Sequence, residues 1–405
     1  MSVTYDPGER RETPLLDTLR RRIRKYGPIS LRDYMDACLL DPEHGYYRTR
    51  RVFGPAGDLA RIEGGDFVTA PEISQIFGEL IGLWCAVVWR QMGAPGSFNL
   101  VELGPGRGTM MRDALRALRV MPEFLAAARV HLIECSETLI VLQRQTLQET
   151  TAPKQWHDRL ASVSPGPTIV VANEFLDAWP VDQFVKTAAG WTMRAVGLDQ
   201  NLALQFTLLP MPAFSDGDRV ARRLEQAWPK AEPGGIVQHM TAAPLIDDLG
   251  KAAAHGPLAA LFIDYGHTRT APGDTLQAVR RHRTEHPLCS PGEADLSSQV
   301  DFQRFANLVA RAGAAGAPVL AIDGPVTQAE LLGSLGIAER ASRLMAANPA
   351  RANEIETGFH RLMAPAAMGT RFKAIGGRSV NLPLLPGFPP PLAGPAHARI
   401  LTGGT

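Results

Sequence analysis

The chain has 405 residues, 45% of them hydrophobic and 20% charged, so it is long enough to bury a full core. Its 42 Lys and Arg residues nearly balance 41 Asp and Glu residues, and the formal charge of +1 gives no general attraction for nucleic acid. The four cysteines are widely spaced, unlike the clustered ligands of structural zinc sites. No apolar run approaches the roughly 20 residues of a membrane-spanning helix. We therefore expect no metal, no nucleic-acid partner, no membrane span and, by default, a cytoplasmic location.

The N-terminal part of the chain has the pattern of helices around a glycine-rich loop. Residues 15–26 and 31–40 have helical periodicity, and the loop at 54–66 is rich in glycine. Pro71 suits the first turn of a further helix that runs to about Gln91. We predict an N-terminal helical region over residues 1–95.

Beyond Phe98, short apolar strands alternate with helices, which is typical of a parallel, doubly wound α/β sheet. The predicted strands are residues 98–103, 130–134, 168–172 and 258–263. Between 181 and 238 the alternation of polar and apolar residues around turns instead predicts an antiparallel β insertion. The predicted organisation is an α/β core over 96–180 and 258–381, a β-rich insertion over 181–257 and a Pro/Gly-rich tail over 382–405.

A glycine-rich turn, ELGPGRG at residues 102–108, follows the first core strand and precedes a helix. Glycines let a ligand approach the backbone, and the helix start offers unpaired N–H groups. A dinucleotide fingerprint needs a third glycine where Thr109 stands, and no Gly-Lys-Ser/Thr follows to hold phosphates. The pattern E-x-G-x-G-x-G favours S-adenosylmethionine (SAM), whose ammonium and ribose hydroxyl groups need acidic acceptors.

Two acidic residues at strand ends are candidates for those acceptors. Glu102 precedes the first glycine, and Glu134 ends the next apolar strand, where a side chain would project into the crevice at the carboxyl edge of the sheet. The alternative for Glu134 is an ordinary loop acid. The glycine pattern upstream favours the ribose role.

A third strand end carries the segment NEFLDAWP at residues 173–180. In a doubly wound sheet this edge also opens onto the ligand crevice, so Asn173, Glu174 and Asp177 can face the transferred methyl group. The alternative is that Asn173 and Asp177 cap the following turn. We predict catalytic roles for Glu174 and Asp177.

A zinc-peptidase pattern, H-x-x-E-H, occurs at residues 282–286. That site requires a continuous helix, and Pro287 disfavours helical geometry at His286. We therefore interpret the segment as a polar loop without metal.

Several longer motifs occur in an order that resembles the MidA family, whose mitochondrial members are assembly factors for respiratory complex I. The resemblance covers about residues 15–373 and rests on DPEHGYY at 41–47, GDFVTAPEISQ at 65–75, FGE at 77–79, residues 102–109, ECS at 134–136, NEFLDA at 173–178, DYG at 264–266, GDTLQ at 273–277 and Thr327-Gln328.

This resemblance implies a Rossmann-like, seven-stranded SAM-dependent methyltransferase core and, in the mitochondrial relatives, dimethylation of an arginine on a peripheral-arm subunit of complex I. A protein substrate is therefore expected. Two alternatives remain open: a SAM-binding assembly chaperone without essential catalysis, and a methyltransferase for a small molecule or RNA. The predicted cofactor-binding residues are Glu102, Gly104, Gly106, Gly108, Thr109, Glu134 and Asn173.

Overall fold

The computed structural model describes residues 10–49, 69–211, 216–311 and 320–390. The glycine-rich loop at 54–66 and the tail beyond 390 lie outside these ranges, and the predicted domain boundaries remain predictions.

The helices of the described ranges are, in chain order, α1 (Pro14–Tyr26), α2 (Leu31–Leu40), α3 (Tyr46–Thr49), α4 (Ala70–Ile73), α5 (Gln75–Gln91), α6 (Thr109–Ala117), α7 (Pro122–Ala127), α8 (Glu137–Thr146), α9 (Gly217–Ala227), α10 (Ala243–Ala254), α11 (Phe302–Arg311), α12 (Gln328–Ser334), α13 (Ile337–Ala347) and α14 (Ala352–Met363). Short 3-10 turns occur at Leu118–Val120, Leu160–Ser162 and Pro349–Arg351.

The strands of the same ranges are β1 (Ile29–Ser30), β2 (Phe98–Leu103), β3 (Ala128–Ile133), β4 (Lys154–His157), β5 (Thr168–Asn173), β6 (Val181–Thr187), β7 (Gly190–Leu198), β8 (Leu204–Leu209), β9 (Ile236–Met240), β10 (Leu258–His267), β11 (Gln277–Arg280), β12 (Arg283–Glu285), β13 (Asp295–Ser297), β14 (Val300–Asp301), β15 (Leu320–Thr327) and β16 (Phe372–Ser379).

The chain forms two compact units, and the glycine turn belongs to the unit built from residues 69–177, 242–269, 300–311 and 320–390. Its sheet has the order β15-β16-β10-β5-β2-β3-β4, with β14 beside β10. Strands β4, β3, β2, β5 and β10 are parallel, whereas β16 is antiparallel to both β10 and β15. This confirms the predicted α/β class with a seven-stranded core. The sheet is mixed rather than wholly parallel as predicted, and the short β14 is an eighth strand.

The central strands are buried on both faces, which explains why most of their residues are apolar. All six residues of β2 are buried, and so are all six of β5. The parallel register aligns Leu103 of β2 with Ala172 of β5 and with Ile133 of β3. The three strand ends with polar residues therefore meet at one edge of the sheet.

The helix predicted from Pro71 to Gln91 is two helices, α4 and α5, because the chain is extended at Ser74. The Ser74 hydroxyl accepts a hydrogen bond from the backbone N–H of Ile76 at 3.3 Å and caps α5. Serine competes for backbone hydrogen bonds and so favours a cap over a helix interior. Helix α5 is apolar on most of its surface and is largely buried.

The other unit consists of residues 10–49, 178–211, 216–241 and 270–299. Its larger sheet has the order β1-β7-β6-β9 with β8 beside β7, and these pairs are antiparallel. The predicted β insertion is thus confirmed as antiparallel, although it also contains helix α9, which the prediction omitted. The second sheet has the order β12-β11-β13.

The H-x-x-E-H pattern lies in the hairpin of β11 and β12. His282 is in the turn with φ +61°, and the next three residues form β12, so the segment is neither the helix of a zinc peptidase nor the polar loop we predicted. Among the helices in the described ranges, none combines the length and apolar character needed to cross a membrane.

Candidate functional site

The glycine turn connects β2 to α6 through left-handed backbone. Gly104, Gly106 and Gly108 have φ values of +60°, +54° and +80°. This region is costly for residues with a β-carbon, which explains glycine at these positions. The N–H of Gly104 donates to the Ile133 carbonyl at 3.1 Å, which ties the turn to the end of β3.

The turn is covered on one side by the segment that follows β5. A β-carbon built on Gly104 would lie 2.8 Å from Cδ2 of Phe175, closer than real side chains approach. Glycine is therefore required at 104 by packing as well as by φ. The contact places the acidic segment 174–177 directly beside the glycine turn.

Two buried side-chain oxygens at the strand ends have no hydrogen-bond partner among the described residues: Oε2 of Glu102 and Oδ1 of Asn173. Glu102 is only 2% exposed, and burial raises its pKa to about 8. Unsatisfied buried acceptors cost free energy. A ligand with N–H or O–H donors would satisfy them, so both residues fit the predicted cofactor role.

Glu134 follows β3 and is held by the backbone and by helix α8. Its Oε1 accepts hydrogen bonds from the N–H groups of Cys135 and Ser136, at 2.9 and 2.8 Å. Its Oε2 accepts from Nε2 of Gln143 at 3.1 Å. The carboxylate is thus fixed in orientation, as a ribose-binding group needs to be.

Gln143 links this acid to the glycine turn. The side chain is fully buried, and its Nε2 also donates to the Gly106 carbonyl at 2.7 Å. Its Oε1 accepts from Nε1 of Trp156 at 2.8 Å. Gln143 therefore sets the spacing between Gly106 and Glu134.

The hydroxyl of Thr109, at the start of α6, donates to Oε1 of Glu72 at 2.5 Å. The bond joins α6 to α4, which contains Glu72. Thr109 thus has a protein partner, and its predicted cofactor role remains a prediction.

Glu174 occupies a left-handed conformation, with φ +52°. Its Oε1 accepts from the N–H of Ala70 at 2.9 Å and from Nδ2 of Asn173 at 3.0 Å. Its own N–H donates to the Ile263 carbonyl at 2.9 Å. A non-glycine residue with positive φ is uncommon, and such strain occurs preferentially at functional sites.

The segment 174–177 is anchored by Asp264, which is fully buried on β10. Its Oδ2 accepts hydrogen bonds from the successive N–H groups of Phe175, Leu176 and Asp177 at 3.0, 2.8 and 3.1 Å. Its Oδ1 accepts from the N–H of Tyr265 at 2.8 Å. Burial raises the pKa of Asp264 to about 7 against the opposing effect of these N–H groups. Asp264 therefore fixes the backbone from which the side chains of Glu174 and Asp177 project.

Three residues of this arrangement had no role in the sequence prediction: Glu72, Gln143 and Asp264. Asp264 ends the apolar run of β10 beside β5, so the strand-end rule used for Glu134 could have found it. No sequence signal marks Gln143, because a polar helix residue that is buried cannot be distinguished by sequence from one that is exposed.

Comparisons with known proteins identify the family to which this chain is similar. Residues 80–318 match a family profile described as "Putative S-adenosyl-L-methionine-dependent methyltransferase". The chain is 33% identical to the mitochondrial protein arginine methyltransferase NDUFAF7 of Mus musculus, over 91% of this chain and 85% of that protein. The identity to the Homo sapiens protein of the same name is 34%, over 91% and 84%.

A solved structure from Burkholderia thailandensis, bound to S-adenosyl-homocysteine, superimposes with a TM-score of 0.79. Its sequence is 27% identical, and the match covers 94% of this chain and 97% of that one. S-adenosyl-homocysteine is what SAM becomes when its methyl group has been transferred. The predicted cofactor is confirmed.

The predicted cytoplasmic location is wrong. It was made only by default, and the matched proteins of Mus musculus, Homo sapiens and Drosophila melanogaster are all named as mitochondrial.

Proposed function

The chain belongs to the family of S-adenosyl-L-methionine-dependent methyltransferases, and we propose that its methyl acceptor is an arginine side chain of a protein. The names of the mammalian relatives support this acceptor. So does the acidic segment beside the glycine turn, because carboxylates pair with a guanidinium in a two-point geometry.

We assign the cofactor to the glycine turn and the polar strand ends. When bound, SAM supplies an electrophilic methyl group on a sulfonium centre. Gly104, Gly106 and Gly108 allow close approach of the backbone. Glu102 and Asn173 present buried acceptor oxygens for its ammonium group, and Glu134 accepts from its ribose hydroxyls.

Glu174 and Asp177 are proposed to bind the acceptor guanidinium. An arginine stays protonated below a pH of about 12, and its nitrogen lone pairs are delocalised, so it is a poor nucleophile. Two carboxylates orient the guanidinium and raise the electron density on one nitrogen. Holding that nitrogen in line with the methyl group removes much of the entropic barrier.

The observation that carries this proposal is the placement of the acidic segment. Phe175 packs on Gly104, and Asp264 binds three successive N–H groups of the segment. Glu174 and Asp177 are therefore attached to backbone that is fixed beside the cofactor turn. Such preorganisation is what positional catalysis requires.

We further propose that the protein acceptor is a peripheral-arm subunit of respiratory complex I, and that methylation accompanies assembly of the complex. The resemblance to the MidA family supports this acceptor. The motifs of that resemblance include the anchoring residues of the site, with NEFLDA at 173–178 and DYG at 264–266.

The test is to incubate the purified protein with methyl-labelled SAM and a lysate of the parent cell that lacks this gene. Mass spectrometry then locates the label. We expect it on an arginine of a complex I subunit, and none with a Gly106→Val control that cannot bind the cofactor. Label on RNA or a small molecule, or no transfer despite SAM binding, would contradict the arginine acceptor. Label on an arginine of an unrelated protein would contradict only the complex I assignment.

A further inference from the structure

A cavity of about 490 Å³ lies in the unit that does not contain the glycine turn. This volume is within the range of about 300–1,000 Å³ that is usual for small-molecule sites. Its lining residues are Arg11, Arg280, Arg281, Arg283, Thr284, Glu285 and Cys289.

The lining is strongly basic, with four guanidinium groups against one carboxylate. Arg11 is fixed at the cavity because its backbone N–H donates to the Cys289 carbonyl at 2.9 Å. Arg280 pairs through one terminal nitrogen with Glu293 at 3.1 Å. The overall charge of the chain is only +1, so this concentration of arginine is local.

Arg280 also has a donor nitrogen, Nε, that makes no hydrogen bond within the described residues. Its side chain is only 10% exposed, and its Nε is buried without a hydrogen-bond partner among the described residues. Within the same ranges, the buried Oε1 of Glu285 also has no partner. A buried donor and a buried acceptor at one cavity lower stability unless something binds them.

The hairpin that bears these residues is unfavourable in two other ways. Arg280 and Arg283 are directly opposite each other on β11 and β12, where like charges repel. The turn residues Arg281 and His282 have φ values of +49° and +61°, a conformation that favours Asn or Gly. Both features would be costly in a hairpin that served only to support the fold.

We propose that this cavity binds a small organic anion that carries phosphate or carboxylate oxygens together with a hydroxyl group. The anionic oxygens accept from Nε of Arg280 and from the guanidinium groups of Arg281 and Arg283, whose planar forks match oxyanions. The hydroxyl donates to Oε1 of Glu285. Such a ligand satisfies the buried donor and acceptor and offsets the repulsion across the hairpin.

The test uses isothermal titration calorimetry of the full chain with citrate and with glycerol 2-phosphate, at physiological ionic strength. We expect at least one to bind. Arg283→Gln should weaken binding at least about tenfold, as expected when a charge-assisted hydrogen bond is lost. Arg222→Gln, an exposed arginine of α9 in the same unit, should change nothing.

The Arg281→Gly variant distinguishes a loss of anion binding from a loss of folding. Glycine suits φ +49°, so the melting temperature should stay the same or rise while anion affinity falls. The Gly106→Val variant should keep full anion affinity, since Gly106 belongs to the other unit. Binding of citrate alone assigns a carboxylate ligand, and binding of glycerol 2-phosphate alone assigns a phosphate ester.

The proposal is overturned if neither anion binds at concentrations up to about 10 mM. It is equally overturned if binding survives Arg283→Gln and Arg281→Gly unchanged, or if Gly106→Val abolishes it.

Discussion

Replacing Asp264 with asparagine tests how far the acidic segment depends on its anchor. The substitution keeps the size of the side chain but exchanges one acceptor oxygen for an NH2 group. Asp264 accepts four backbone hydrogen bonds, three on Oδ2 and one on Oδ1. An asparagine has a single carbonyl oxygen. Placed where Oδ2 lies, this oxygen leaves the N–H of Tyr265 without an acceptor, and because it is neutral it holds the other three N–H groups less strongly.

The expected cost follows from these changes. The N–H left without an acceptor costs about 1–3 kcal/mol, and the weaker bonds to the other three N–H groups add to this cost. Phe175 and Asp177 are partly exposed, so water can relieve some of the loss. We expect Asp264→Asn to lower the free energy of unfolding by about 2–4 kcal/mol. Because the segment that carries Glu174 and Asp177 is held less tightly, turnover should fall more than SAM affinity does.

Asp248→Asn is the matched control, because Asp248 is 4% exposed in the same unit and accepts from the backbone N–H of Ala161 and the side chain of Arg159. Thermal unfolding, calorimetry with SAM and single-turnover rates are measured for both variants well below their melting temperatures. We expect both to be destabilised and only Asp264→Asn to lose turnover. Equal losses of turnover, or normal turnover in Asp264→Asn, would refute the anchoring role.

Three further predictions concern the cofactor. Gly106→Val should abolish SAM binding in calorimetry while the circular dichroism spectrum stays native, because valine disfavours φ +54°; normal affinity would exclude this turn as the cofactor site. Glu134→Ala should weaken SAM binding by about 1.5–3 kcal/mol, and unchanged affinity would show that Glu134 is an ordinary loop acid. Glu102, with its pKa raised to about 8 by burial, is mostly protonated at pH 7 and should ionise against the ammonium of SAM. SAM binding should therefore release protons, and SAM affinity should increase as the pH rises toward 8. Calorimetry in buffers of different ionisation enthalpy measures this proton release, and Glu102→Gln should show none.

The core strands could be predicted because burial on both faces makes most of their residues apolar. The predicted strand 98–103 coincides with β2, and that at 168–172 ends one residue before β5 does. Glycine and acidic residues at the strand ends then indicated the cofactor, since few ligands need close backbone approach without phosphate binding.

Other features depend on tertiary contacts that local patterns do not encode. The break at Ser74 is invisible in a sequence that is otherwise apolar and helical, and α9 was hidden among residues whose alternation favours strands. Gln143 is a polar residue on a helix, and only the packed structure shows it buried between the glycine turn and Glu134. The cellular location could not be inferred by default from the composition of the chain.

The central claim is that Glu174 and Asp177 hold an arginine for methyl transfer. Single-turnover rates and SAM dissociation constants of the variants Glu174→Gln and Asp177→Asn test this claim most directly. Each variant keeps the shape of the side chain and removes its charge. We expect the rate of methyl transfer to fall at least about a hundredfold in Glu174→Gln, the loss of about 2.7 kcal/mol of transition-state stabilisation, with SAM affinity changed far less. Near-normal rates in both variants would contradict the guanidinium-binding role of this segment.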